Sequence, residues 1–106
     1  MEIEMARGGG FAGPALHQRL GPVNTDRAKN GAEIETLIDR IGFFALPEKF
    51  PNDPSRKNSD PMWHSATVTA SDETQTVEWD DNSQRPPSAL THELPALMEM
   101  AGASWT

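Results

Sequence analysis

Residues Ile34 to Pro47, Ile-Glu-Thr-Leu-Ile-Asp-Arg-Ile-Gly-Phe-Phe-Ala-Leu-Pro, constrain this chain more than any other stretch. Ile34, Leu37, Ile38 and Ile41 recur at the i, i+3, i+4, i+7 spacing of one buried helical face. Glu33, Glu35, Asp39 and Arg40 occupy the opposite face. Gly42 follows the last periodic residue and suits the left-handed conformation that closes a helix. Phe43, Phe44 and Leu46 carry the apolar surface past the helix end, and Pro47 prevents any return to helix. The rest of the chain has to supply the other side of this core. With 106 residues there is enough chain for one domain around it.

The flanking segments read as strands and one further helix. Met1, Ile3 and Met5 alternate with Glu2, Glu4 and Arg7, a half-buried strand that Gly8-Gly9-Gly10 is expected to end. Residues 15–20 form a second strand, with Leu16 and Leu20 inward and His17 and Arg19 outward, and Gly21-Pro22 is expected to break it. The first helix is placed at residues 26–41, with Asn24, Thr25 or Asn30 as its cap and Gly31 weakening its first turn. Residues 48–62 hold Pro51, Pro54 and Pro61 among polar residues. They read as a long loop, either a solvated excursion or a partner-binding segment.

Residues 63–71 and 74–80 form a second hairpin around Asp72-Glu73, pairing Val68 with Val77 and Ala66 with Trp79. Leu90, Leu94, Leu97, Met98 and Ala101 then repeat at helical spacing. Pro95 requires that this helix begin near Thr91 or that a short first turn break ahead of the proline. Gly102 ends it, and the last four residues are expected to fray. The whole predicts an α+β domain over residues 1–106. Its four-stranded antiparallel sheet carries two helices packed on one face, in the order ββαββα.

Composition narrows function by exclusion. The formal net charge is −7, with Arg85 alone against seven Asp and Glu from Asp72 onward, which argues against nucleic acid. There is no cysteine, so no disulfide, zinc–thiolate site or cysteine nucleophile exists. No stretch approaches the ~18 apolar residues that cross a membrane. The acidic N-terminus also lacks the positive start of a secretory signal, so a soluble, cytoplasmic protein is expected.

Residues 8–13 spell G-x-G-x-x-G. Pro14 and a strand follow rather than a helix, so no dinucleotide site is expected. His17, His64 and His92 show no metal-ligand spacing. Asp80, Asp81 and Asn82 lack the rest of a calcium loop. No enzyme and no cofactor is expected. What remains are candidate contact residues. Phe11, amid four glycines, is either core or an anchor for a partner's pocket. Trp79 reads as core, and Trp63 and Trp105 as residues of a contact surface.

Four segments together resemble one family. Residues 2–13, Glu-Ile-Glu-Met-Ala-Arg-Gly-Gly-Gly-Phe-Ala-Gly, are similar to the opening strand and Gly-Gly-Phe-Ala-Gly pattern of emfourin and its relatives, small bacterial inhibitors of protealysin-like (thermolysin-type) metallopeptidases. Gly42-Phe-Phe-Ala-Leu-Pro47, Thr76-Val-Glu-Trp-Asp-Asp81, and residues 87–98 with Leu90, Pro95 and Leu97-Met98 resemble the family's later motifs. Two departures are Pro14 and Trp63-His64-Ser65, the latter where the family's strand is richer in aromatics. The resemblance implies a proteinaceous inhibitor that blocks a zinc peptidase, its partner, without being cleaved. Such enzymes prefer a bulky apolar side chain just after the scissile bond. Phe11, on a loop of Gly8, Gly9, Gly10, Ala12 and Gly13, would fill that pocket while the sheet edge covers the cleft. The competing reading is an interaction domain that self-associates through its sheet edge or helices.

Overall fold

The computed structural model describes residues 1–9 and 17–106. Four antiparallel strands run β1 (Glu2–Gly9), β2 (His17–Asn24), β3 (Met62–Thr69) and β4 (Thr74–Asp80), in the spatial order β2-β1-β3-β4. Helix α1 (Gly31–Ile41) follows β2, and α2 (Leu94–Met100) follows β4, giving ββαββα. One cluster joins Ile3, Met5, Leu20, Val23, Ala66, Val68, Val77 and Trp79 of the sheet to Ile34, Leu37, Ile38, Phe43, Leu90, Leu94 and Met98. Both helices therefore pack on the same face. Gly42 has φ +67° and ends α1, and a 3-10 turn over Phe43–Ala45 then drives Phe43 into the core.

Several local expectations are corrected. The β1 strand does not stop at Gly8 but continues through Gly9. Nor does Gly21-Pro22 break β2, which runs on to Asn24. Ile3 faces Val23 while Met5 faces Leu20, so β2 holds one extra residue across that interval. This bulge brings Leu20 and Val23, three residues apart, to the same buried face, where an even pleat would point them oppositely. Gly21 takes φ +96° there, and a Cβ on it would lie 2.9 Å from the Ile3 carbonyl oxygen. Pro22 is tolerated because β2 is an outer strand.

Helix α1 starts at Gly31 rather than at residue 26, because residues 25–30 are spent in turns anchored by Asn24. Asn30 precedes the helix without capping it, and its side-chain amide donates instead to the Leu97 carbonyl, 2.9 Å away. In the second hairpin Ala70 to Glu73 form the turn, so Ala66 faces Val77, Val68 faces Gln75, and His64 faces Trp79. The expected pairs were displaced by two residues, which changes partners but keeps every side chain on its face. Pro95 falls in the first turn of α2, and the π-helical turn over Ala89–Glu93 runs into α2 without a break, Glu93 and Leu94 both keeping right-handed helical angles. The helical run thus neither waits until Thr91 nor breaks ahead of the proline, because the wider turn takes up the backbone around it.

Each outer strand carries a short backbone partner from the chain itself, at Glu78 of β4 and at Arg19 and Leu20 of β2. Along β4, the Phe50 amide donates to the Glu78 carbonyl and the Glu78 amide to the Glu48 carbonyl, at 2.9 and 2.8 Å. Residues 48–50 thus lie beside the sheet, not in a free excursion. Along β2, Arg19 and Thr106 exchange two backbone hydrogen bonds of 3.0 Å, and Trp105 bridges to Leu20. The C-terminal residues are therefore docked rather than frayed. An outer strand that already carries such a partner is a poor template for edge pairing.

Candidate functional site

One end of the sheet gathers the residues of interest. The last described pairings there are Gly8 with His17 between β1 and β2, Gly9 with Met62 between β1 and β3, and Trp63 with Asp80 between β3 and β4. Gly8 and Gly9 therefore belong to strand β1. Gly10, Phe11, Ala12 and Gly13, the remaining expected contact residues, and Leu16, expected inward, lie outside the described residues. The segment 10–16 departs from Gly9 and returns at His17, two ends held next to each other by the β1–β2 ladder.

The sheet's two faces differ at this end. On the face away from the helices, Gly8 has no side chain between its cross-strand neighbours, and the rings of His17 and Trp63 close over it with centroids 5.4 Å apart. Aromatic cover of a strand glycine replaces the packing that glycine cannot supply. Gly9 has φ +78°, and a Cβ there would stand 3.4 Å from Trp63 Cδ1 and 3.1 Å from the Pro61 oxygen. Trp63 nevertheless remains 40% exposed.

On the helix side, the inward positions become polar: Arg7 continues Ile3 and Met5, and His64 continues Val68 and Ala66. Here a cleft of about 590 Å³ opens between sheet and α2. His64 stacks on Trp79 with ring centroids 5.5 Å apart and planes 12° from parallel. The Arg7 guanidinium sits 4.0 Å above the Trp105 ring while its Nε donates to Gln18 Oε1 at 2.9 Å. Trp105 is thus engaged within the fold.

Burial pushes the His64 pKa below its ordinary value of about 6.5. The Asp81 carboxylate, 3.7 Å from His64 Nε2, and Asp80 pull the other way, while Arg7 adds to the depression. The other Asp81 oxygen accepts the Met62 amide at 3.0 Å, so this carboxylate closes the β3–β4 end as much as it faces histidine. Ser88 and Thr91 line the cleft, and Thr91 Oγ1 bonds His92 Nδ1 at 2.7 Å; neither hydroxyl has a hydrogen bond to His64. Among the described residues, no three His, Asp or Glu converge as metal ligands. No described helix is long and apolar enough to cross a membrane.

The cleft and its stacked His64–Trp79 floor arise only in the folded chain. Their signal was present in the alternation, where an inward position turns polar at Arg7 and again at His64. Only the strand register shows that the two coincide. Comparisons with protein-family models, with curated proteins and with solved structures found no match.

Proposed function

We propose that this protein inhibits a thermolysin-type zinc metallopeptidase by occluding its active-site cleft with the segment that follows Gly8 and Gly9. The resemblance of residues 2–13, 42–47, 76–81 and 87–98 to the emfourin family motivates the reading. One structural observation supports it most: the segment carrying Phe11 is mounted between hydrogen-bonded ends of β1 and β2, and β1 is an inner strand of the sheet. A binding segment with fixed ends loses less conformational freedom on docking than a free tail. Phe11 is the anchor in this mechanism, and Gly8 and Gly9 belong to its scaffold. The protein acts as a binder, without catalysis and without a cofactor of its own.

Self-association through a sheet edge is the weaker alternative, because residues 48–50 interrupt the outer side of β4 at Glu78 and residues 105–106 that of β2 at Arg19 and Leu20. The test is titration of the protein into a thermolysin-type peptidase hydrolysing a short peptide. Stoichiometric loss of activity that added zinc does not relieve is expected. The Phe11→Ala variant should raise the inhibition constant about ten-fold or more, as for a buried aromatic anchor. Equal inhibition by a folded Phe11→Ala protein would remove Phe11 from the mechanism.

A further inference from the structure

The cleft between the sheet and α2 gathers basic side chains out of proportion to the rest of the chain. Three of the nine Lys and Arg line it, Arg7, Arg56 and Arg85, against three of the sixteen Asp and Glu, Asp80, Asp81 and Glu99. The cleft is thus neutral in a protein of formal net charge −7. Its charges are also unequally engaged. Asp80 Oδ1 accepts the Asn82 amide at 2.7 Å, and one Asp81 oxygen accepts the Met62 amide while the other faces His64. Arg7 donates only through Nε, to Gln18, and sits over the Trp105 ring, so its terminal nitrogens meet no acceptor among the described residues. Arg56 reaches the Asp81 carbonyl at 3.4 Å and the Asp53 carboxylate at 3.9 Å, both long for a charge-assisted hydrogen bond. Arg85 meets no acceptor among the described residues.

We infer that this cleft binds a small organic anion, its carboxylate or phosphate group held by Arg7 and Arg85 and its body lying against the apolar walls of Met5, Pro86 and Pro95. A guanidinium presents a planar fork of donors that matches the oxygens of either group. The cleft's volume of about 590 Å³ suits a small molecule rather than a bare ion. Arg7 is already held by Gln18 and Trp105, so an oxyanion docking on it costs little further side-chain freedom. None of the cleft's lining residues belongs to the segment that the inhibitor reading uses, so the two readings stand or fall separately.

The probes are benzoate, phenyl phosphate and inorganic phosphate, with benzylamine as the cationic counterpart. Each is titrated into the full chain at constant ionic strength and followed by proton–nitrogen correlation NMR. Saturable shifts of the Arg7 amide and the Trp105 indole N–H are expected with benzoate or phenyl phosphate, and the tighter of the two identifies the group as carboxylate or phosphate. Arg7→Gln and Arg85→Gln should each weaken that binding about ten-fold, the worth of a charge-assisted hydrogen bond. Arg27→Gln, outside the cleft, should leave it unchanged. Thermal unfolding checks that each variant is folded. Should Arg7→Gln fail to fold, the exposed Arg85 carries the test alone. The inference is overturned if neither benzoate nor phenyl phosphate saturates the shifts at millimolar concentration, or if either folded arginine variant binds like the parent. It is equally overturned if benzylamine binds as tightly as the anions, or if inorganic phosphate binds as tightly as phenyl phosphate, which would leave a bare ion patch and no small-molecule site.

Discussion

Replacing Gly31 by alanine sets helix propensity directly against tertiary packing. Gly31 is the first residue of α1 and is buried. On propensity alone, alanine would stabilise the helix by about 1 kcal/mol. In the fold, a Cβ at this position would lie 1.8 Å from the Thr25 carbonyl oxygen, 2.7 Å from its carbonyl carbon and 3.0 Å from its Cα. All three atoms are backbone, so no side-chain rotation relieves the clash. The Thr25 backbone is itself pinned, its amide donating to the Met1 carbonyl at 2.9 Å and its hydroxyl engaging Met1 and the Glu35 carboxylate.

Overpacking of this kind costs about 1–3 kcal/mol. Displacing Thr25 weakens hydrogen bonds worth about 1 kcal/mol each. Against the propensity gain, a net loss of about 1–4 kcal/mol is expected for Gly31→Ala. That corresponds to a Tm lower by about 4–8 °C per kcal/mol in a domain of this size. Gly42→Ala serves as calibration: its φ is +67° but nothing lies within 4 Å of a Cβ there, so only the left-handed backbone cost of about 1–2 kcal/mol applies. Urea and thermal unfolding of both variants would check this. A Gly31→Ala protein as stable as the parent would refute the claim that the Thr25 turn, rather than propensity, sets the start of α1.

Other outcomes follow from the sheet end and its margins. Phe11→Ala should weaken inhibition as described above, and Trp63→Ala should lower the Tm, because the indole ring packs on His17 beside Gly8 and Gly9. His64 should titrate below about 6.5 by NMR. Because its folded pKa is depressed, the unfolded chain takes up the proton first as pH falls. The His64 contribution is therefore fully present above about 6.5 and is lost as pH drops through the window between the unfolded and folded values. Asp81→Asn removes the main opposing charge and should lower the His64 midpoint further; a midpoint at or above 6.5 in the parent would contradict the burial account. Truncation after Gly102 removes the Arg19–Thr106 backbone pair and the Arg7–Trp105 contact. It should cost about 2–4 kcal/mol in urea unfolding and increase association in light scattering at rising concentration. Unchanged stability would mean that the tail is not part of the fold.

Much of the architecture could be read without the structure, wherever one local periodicity sufficed. The face of α1 with Ile34, Leu37 and Ile38, the Gly42 stop, the inward Ile3 and Met5, and the ββαββα order all follow from residues close together in sequence. The misreadings lie where distant segments meet. Gly21-Pro22 looks like a strand breaker, but a bulge against Ile3 and Met5 uses it to bring Leu20 and Val23 to one side. The C-terminal residues look free until the Arg19 backbone pairs with Thr106. The β3–β4 turn is centred between Ser71 and Asp72, one position before Asp72-Glu73, and every side chain keeps its face because the resulting displacement of partners is even.

The candidate site divides the same way. Short-range patterning along the chain determined the sheet, the helices and the glycine-rich segment that holds Phe11, because side-chain alternation and helix termination are local properties. Tertiary structure alone decided that Trp63 lies over Gly8 and against His17, that His64 stacks on Trp79, and that Trp105 takes Arg7 as its partner. Those contacts depend on strand register and on the docking of the chain's end, and both are set by long-range hydrogen bonding and burial that no single stretch encodes.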